Sequence, residues 1–311
     1  MSAVLGIDTS NYTTSAALYR NGQIIQQKQL LPVKAGTLGL RQSDAVFHHV
    51  QQLPLLLETL FSGESEPLTA IGVSVSPRDA EGSYMPCFTV GHGAARQLSA
   101  LLHIPYHSFS HQCGHIMAAL FSAGQMKLRL ERFLAFHVSG GTTEALLVTP
   151  DASRIIKTEC VAGTLDLNAG QAVDRVGGLL GLSFPAGPAL EELAKSCRAP
   201  VKARATIKGA DCCLSGLENQ CRDLLSRGTS RETVARFCLD TIQETLVQMT
   251  EKLLERYGFL PLLFSGGVMS NTLIRAHLTA RFRAHFAEPA FSADNAAGVA
   301  VLAALREEGE G

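Results

Sequence analysis

The chain has 311 residues, 46% of them hydrophobic and 18% charged, which excludes a disordered chain, a coiled coil and a collagen-like repeat. Lys and Arg total 27 and Asp and Glu 28, so a formal net charge of −1 leaves no global positive field for coating DNA. That length exceeds what one hydrophobic core usually serves and predicts two domains.

The first thirty residues read as strands. Residues 3–7 are apolar, 14–19 are rich in β-formers, and 23–29 follow Asn21-Gly22, a hairpin signal because both positions need positive φ. Residues 44–60 predict a helix with a kink at Pro54. A strand at 70–75, a loop at 76–86, a helix at 89–102, a strand at 104–109 and a helix opening near Ser110 follow. The opening pattern then returns: strand 133–138, the small polar loop Ser139 to Thr143, strand 144–148, a turn at Pro150-Asp151 and strand 155–158. Thr142 lies 129 positions after Thr13, and on the same diagonal Ser10 falls on Ser139. An internal duplication of a β-hairpin sheet predicts two similar α/β lobes with a ligand cleft between them. Helices are expected at 168–180, 189–196, 215–225, 231–257, 270–282 and 294–306, with a buried strand at 260–264.

The eight cysteines are scattered without a CxxC pair, no basic leader opens the chain, and no apolar run reaches about 18 residues. The expectation is a cytoplasmic protein with free thiols, no membrane span and no DNA partner.

Several residues could carry chemistry. His111 and His115 stand four apart on a predicted helix, which puts both imidazoles on one face within reach of one metal ion. No Glu follows His111, so the metalloprotease pattern is absent, and a third ligand would come from elsewhere. Asp294 opens the last helix and on its own reads as an N-cap. Two glycine turns follow strands, Ser139-Gly140-Gly141 and Ser265-Gly266-Gly267, and such turns can offer backbone N–H groups to phosphate. Asp8 ends the first strand, where it could hold a hydrated cation or simply form a turn. Asp174 sits on a predicted helix, either at a site or as a solvated partner of Arg175. Pro185 to Pro188 is a rigid turn. Lys195, Arg198, Lys202, Arg204 and Lys208 form a basic stretch read as a solvated loop, with contact to RNA phosphates as the alternative. Cys113, between the two histidines, reads as a packed thiol.

Together these pieces resemble one family, TsaD, the threonylcarbamoyl-adenosine synthase subunit of the actin/Hsp70/sugar-kinase superfamily. Ile7-Asp8-Thr9-Ser10 resembles its opening I-E-T-S, and His111 and His115 fall on its H-x-E-G-H pair. His137-Val138-Ser139-Gly140-Gly141 is similar to L-V-S-G-G, and Asn168-Ala169-Gly170 through Asp174 to A-A-G-E-A-F-D. Pro185-Ala186-Gly187-Pro188 is similar to P-G-G-P, Leu214-Ser215-Gly216-Leu217 to F-S-G-L, Ser265-Gly266-Gly267-Val268 through Asn271 to A-G-G-V-x-x-N, and Asp294-Asn295 to T-D-N.

The resemblance implies an α/β, duplicated actin-like fold of two lobes with a cleft. One lobe would be 1–108 with the C-terminal helix 294–308 packing back, the other 109–293 with a helical insertion. It implies transfer of threonylcarbamoyl from threonylcarbamoyl-adenylate to N6 of the adenosine next to the anticodon of tRNA. One divalent metal, iron or zinc, would be held by His111, His115 and Asp294. Asp8 and Ser10 would be catalytic. The adenylate or ATP-type ligand would be held by His137, Val138, Ser139, Gly140, Gly141, Asp174, Gly187, Gly266, Gly267 and Asn271. Partners would be tRNA and other synthase subunits, TsaB-like or TsaE-like, or a second copy.

The departures from the pattern concern charge. The family's C-D-E-T is Asn11-Tyr12-Thr13-Thr14 here, D-D-A-A-G-E is Asp166 through Gln171 with two carboxylates lost, and S-G-L-K ends in Glu218. S-G-G-H-T becomes Ser139 through Thr143 without the His, and the glycine run G-P-G-L-V-G-A gives way to Ser76 through Pro86. These changes point to a divergent paralogue. Two alternatives follow: a carbamoyltransferase of HypF-like or TobZ-like kind acting on another acceptor, or a non-catalytic partner subunit.

Overall fold

The alternation and turn chemistry at the N-terminus produce three antiparallel strands. In the computed structural model, which describes residues 3–10, 12–32, 40–63, 66–292 and 296–309, strand β1 (Ala3–Asp8) is buried throughout. It pairs antiparallel with β2 (Thr13–Arg20), which pairs with β3 (Gln23–Leu30). Asn21 at φ 51 and Gly22 at φ 75 both take the left-handed conformation that the tight hairpin demands. Helix α1 (Gln42–Phe61) runs on through Pro54, so the expected kink residue does not end it. Strand β4 (Leu68–Ser76), helix α2 (Phe88–Leu102), strand β5 (Tyr106–Ser110) and helix α3 (His111–Ser122) follow. Both β4 and β5 run parallel to β1, giving the sheet order β3-β2-β1-β4-β5.

The second sheet repeats this plan. Strands β6 (Phe133–Val138), β7 (Thr143–Asp151) and β8 (Ile155–Gly163) are its meander. An inserted block follows: α4 (Ala169–Leu179), α5 (Gly187–Lys195), the short pair β9 (Ile207–Lys208) and β10 (Asp211–Cys212), α6 (Leu217–Ser226) and α7 (Arg231–Tyr257). Then come β11 (Leu262–Ser265), α8 (Thr272–Arg281), β12 (Ala284–Phe286) and α9 (Ala297–Glu307). The order β12-β11-β6-β7-β8, with β6 antiparallel to β7 and parallel to β11, is that of the first sheet. The duplication read at an offset of 129 is therefore a duplication of topology.

Two units emerge. The first comprises Met1–Glu131, Thr149–Thr158 and Ala290–Gly311, the second Arg132–Val148 and Glu159–Pro289. The division differs from the boundary expected after residue 108, because α3 packs on α9 and both belong to the first unit. The pairs β9–β10 and β11–β12 were not anticipated in full, since strands of two or three residues carry no readable alternation.

Helix α9 is apolar all round, as a helix with no solvent face must be. It lies on the first sheet through glycines. A Cβ at Gly6 would stand 2.3 Å from the Ala296 carbonyl oxygen, and one at Gly72 would stand 2.0 Å from that of Val299. Where α9 crosses α3, a Cβ at Gly298 would stand 1.8 Å from the Gly114 oxygen. These are backbone obstacles that no rotamer change relieves. Gly72→Ala is expected to cost about 1–3 kcal/mol by overpacking. Gly93→Ala, in helix α2 with open space around it, should be neutral or stabilising by up to about 1 kcal/mol. Urea unfolding of the two variants checks the contrast, and equal effects would refute it.

Candidate functional site

The first unit gathers polar residues at the carboxyl ends of β1 and β4 and at the start of α3. Asp8, at the end of β1, is 1% exposed. It accepts the Ser10 backbone N–H at 2.9 Å, the Ser74 hydroxyl, and His111 Nδ1 at 2.8 Å. Burial pushes the Asp8 carboxyl up, but the His111 charge and these hydrogen bonds outweigh it, and the net shift is downward. An ionised Asp8 accepts the His111 Nδ1–H, which leaves Nε2 as the nitrogen that faces His115. Nε2 of His115 stands 2.9 Å from that nitrogen, so the i, i+4 spacing does bring both imidazoles together. Asp8 thus acts on His111 from behind, as carboxylates do behind metal-binding histidines.

This geometry fits a divalent ion. Two imidazole nitrogens bound to one tetrahedral ion at 2.0–2.1 Å lie about 3.3 Å apart, so the rings need open by only a few tenths of an ångström. Two imidazoles suit either iron or zinc. Asp294 and Asn295 lie outside the described residues, and among those described no group of three His, Cys, Asp or Glu is arranged to hold a metal ion. The hydroxyl of Ser10 is buried and has no hydrogen-bond partner among the described residues. Cys113 points elsewhere: its thiol donates to Asp79 at 3.0 Å, and burial together with the Asp79 charge pushes it far above the usual thiol range.

The second unit holds a cavity of about 340 Å³, the size of small-molecule sites. Gly140, Asp174, Gly187, Gly267 and Asn271 line it, as do Pro185 and Glu191. The remaining expected binding residues stand around it in supporting positions. Val138 is core, His137 Nδ1 meets the Ser265 hydroxyl at 3.2 Å, and Ser139 Oγ accepts the Gly141 and Thr142 N–H groups. Gly266 adopts φ 98, and a Cβ there would stand 2.3 Å from the Val138 oxygen, so glycine is required sterically. Gly170 packs as closely on Gly140.

Asp174 accepts the Ala186 N–H at 2.9 Å and so holds the Pro185–Pro188 turn, while Arg175 faces Glu218 rather than Asp174. The charge reversal at Glu218 is absorbed by Arg175 and Arg222. Gln171, which stands where the family has a carboxylate, forms a capping box on α4 with Asn168. Asp166 accepts the Leu214 N–H and the Ser215 hydroxyl, anchoring the Leu214 to Leu217 motif.

Glu191 was missed by sequence reading. Burial raises its carboxyl, but bonds from Thr272 and Lys195 prevail, and it titrates below its ordinary value. Its only sequence signal is a carboxylate one turn into the helix that follows the Pro-Ala-Gly-Pro turn.

Two sheets of one strand order, one carrying a histidine pair and the other a glycine-lined cavity, define an actin-like α/β protein. Solved structures agree on that class. Component A of (R)-2-hydroxyglutaryl-CoA dehydratase from Acidaminococcus fermentans matches over 100% of both chains, with a TM-score of 0.56 at 16% identity. Full-length HypF in its phosphate- and nucleotide-bound form matches 99% of this chain and 55% of its own, with a TM-score of 0.60 at 12% identity. The sequence profile of TsaD, tRNA N6-adenosine threonylcarbamoyltransferase, matches residues 24–301. The tRNA N6-adenosine threonylcarbamoyltransferase of Methanopyrus kandleri is 28% identical over 93% of this chain and 82% of its own. The chain belongs to the TsaD family of carbamoyl-transferring enzymes.

His49 supplies a pH test of the buried network. The Thr14 hydroxyl donates to Gln52 Oε1 at 2.7 Å, so His49 Nδ1, 2.8 Å away, must donate to Thr14. Its Nε2 is buried without a partner among the described residues. Burial lowers His49 to about 4, the Asp8 charge opposing and His48 assisting. The unfolded chain protonates His49 near 6.5, the native state only near 4, so this contribution is full above pH 6.5 and is lost as pH falls to 4. Urea unfolding across that window should show the loss, and His49→Gln should flatten it. An unchanged slope in the variant would refute the assignment.

Proposed function

We propose that this chain transfers the threonylcarbamoyl group of threonylcarbamoyl-adenylate to N6 of the adenosine next to the anticodon of tRNA, with a metal ion. The observation that carries the metal is the convergence of His111 and His115 Nε2 at 2.9 Å behind an ionised Asp8. Asp294 would be the third ligand, as the family resemblance implies. A bound iron or zinc ion supplies Lewis-acid polarisation of the donor's carbamoyl and phosphate oxygens. His111 and His115 would hold it through Nε2 as neutral imidazoles, each with its single proton on Nδ1, where Asp8 accepts that of His111.

The cavity of the second unit takes the adenosine part of the donor. Glu191 receives the Thr272 N–H, the Thr272 hydroxyl and Lys195 Nζ all on Oε1, which leaves Oε2 to accept a ribose hydroxyl. Asn271 caps α8 through its side-chain oxygen and borders the cavity. The nucleotide-bound state of HypF and the family membership support this reading. Cytoplasmic tRNA and further synthase subunits are the partners it requires. The different charge pattern around Asn11 to Thr14 and Asn168 to Gln171 keeps one second reading in view, a carbamoyl acceptor other than tRNA.

The deciding experiment supplies threonylcarbamoyl-adenylate and unmodified tRNA, with and without the other synthase subunits. Formation of the modified nucleoside is expected, stopped by a chelator and restored by iron or zinc. His111→Ala should lower it at least 100-fold. Adenylate binding and metal uptake without any modified nucleoside would hand the site to the second reading. Separately, Glu191→Gln should weaken adenylate binding roughly tenfold by calorimetry, the scale of a lost charge-assisted hydrogen bond. Unchanged affinity would remove Glu191 from the ligand contacts.

A further inference from the structure

We infer that the extended segment 199–208 of the second unit is a track for the phosphate backbone of an RNA strand. The inference rests on tRNA being the substrate and names where that substrate is gripped. After α5 the chain runs without helix to β9, and its exposure alternates. Residues 202, 204, 206 and 208 are exposed, while 201, 203, 205 and 207 are half-buried. That alternation turns Lys202, Arg204, Thr206 and Lys208 to solvent along a segment that becomes strand at Ile207–Lys208. The backbone is fixed by pairing: Lys208 stands opposite Asp211 in the β9–β10 ladder, and the Thr206 carbonyl accepts the Cys213 N–H at 3.0 Å. Helix α7 packs against both strands.

Elsewhere in this unit several exposed helix cations are matched by acids, while Arg256 of α7 lies over the Tyr257 ring instead. Lys195 pairs with Glu191 and Glu192, Arg222 with Glu218, and Lys252 with Glu255. Lys202, Arg204 and Lys208 have neither an ion-pair nor a hydrogen-bond partner among the described residues. In a chain of net charge −1, three cations without ion-pair partners in one short exposed run repel each other and attract an anion. Their regular step suits a polyanion with repeating charge better than one small anion, for which no backbone cradle is present on this segment. Segment 199–208 itself exposes no large apolar side chain.

The test is binding of the full chain to unmodified tRNA across a salt titration, followed by fluorescence anisotropy. The triple variant Lys202→Glu, Arg204→Glu and Lys208→Glu should bind at least tenfold more weakly. Its salt slope should fall by about two to three, close to 0.7–0.9 for each lost phosphate contact. Threonylcarbamoyl-adenylate affinity and thermal unfolding should stay at the parent values, since all three positions are exposed and outside the cavity. A variant that binds tRNA with parental affinity and slope overturns the track and leaves the transfer function standing. A parent chain that binds no RNA, alone or with its subunits, overturns the track and the function together. Binding of the parent to anionic phospholipid vesicles, lost in the variant while tRNA binding is kept, overturns it in favour of a membrane surface.

Discussion

The close approach of α9 to the first sheet is the constraint on which the histidine site depends. Three glycines permit it, and each lies beside a residue of the polar network. Gly6 is two residues before Asp8 on β1, Gly72 is two before Ser74 on β4, and Gly114 lies between His111 and His115 on α3. Carbonyl oxygens of the Ala296–Val299 turn fill the spaces above Gly6 and Gly72, and Gly298 fits against Gly114. The register of three separate elements is thus set by main chain against main chain, which cannot slide by a rotamer change. The buried carboxylate, its serine and the two imidazoles inherit their positions from that contact.

The two halves of the duplication use the same positions for different chemistry. Asp8 falls on His137 at the offset of 129, and Ser74 and Ser265 occupy matching places on the next parallel strand. In both units the strand-end residue bonds its serine, Asp8 to Ser74 and His137 to Ser265. In the first unit the pair is buried and lends its charge to His111. In the second it sits behind glycine turns that leave room for a ligand, with Gly170 and Gly266 closing backbone gaps that a side chain would block.

Much of this was legible because hairpins, alternation and glycine turns are local signals. The Asn21-Gly22 turn, the repeated meander and the histidine spacing carried the fold and the pair. Other features lie beyond a single sequence. The burial of Asp8 depends on Ser74 and His111, 66 and 103 positions away. Glu191 gains its place from Thr272, 81 positions on. A helix following β5 gives no local sign of which sheet it will pack on. Gln171, read as a loss of charge, turns out to complete a helix cap with Asn168, a role visible only when α4 begins at Ala169.

The direction of Cys113 has a consequence for how the histidine pair endures. A thiol two residues from each of two candidate metal ligands could intercept oxidants or compete for the ion. Here the sulfur is buried, and its proton is donated to a carboxylate that resists any second negative charge beside it. The nucleophilic thiolate is therefore scarcely populated near neutral pH. Peroxide and electrophiles that seek thiolates meet an inert group at this turn of α3, so the imidazoles beside it are not exposed to a cysteine chemistry of their own.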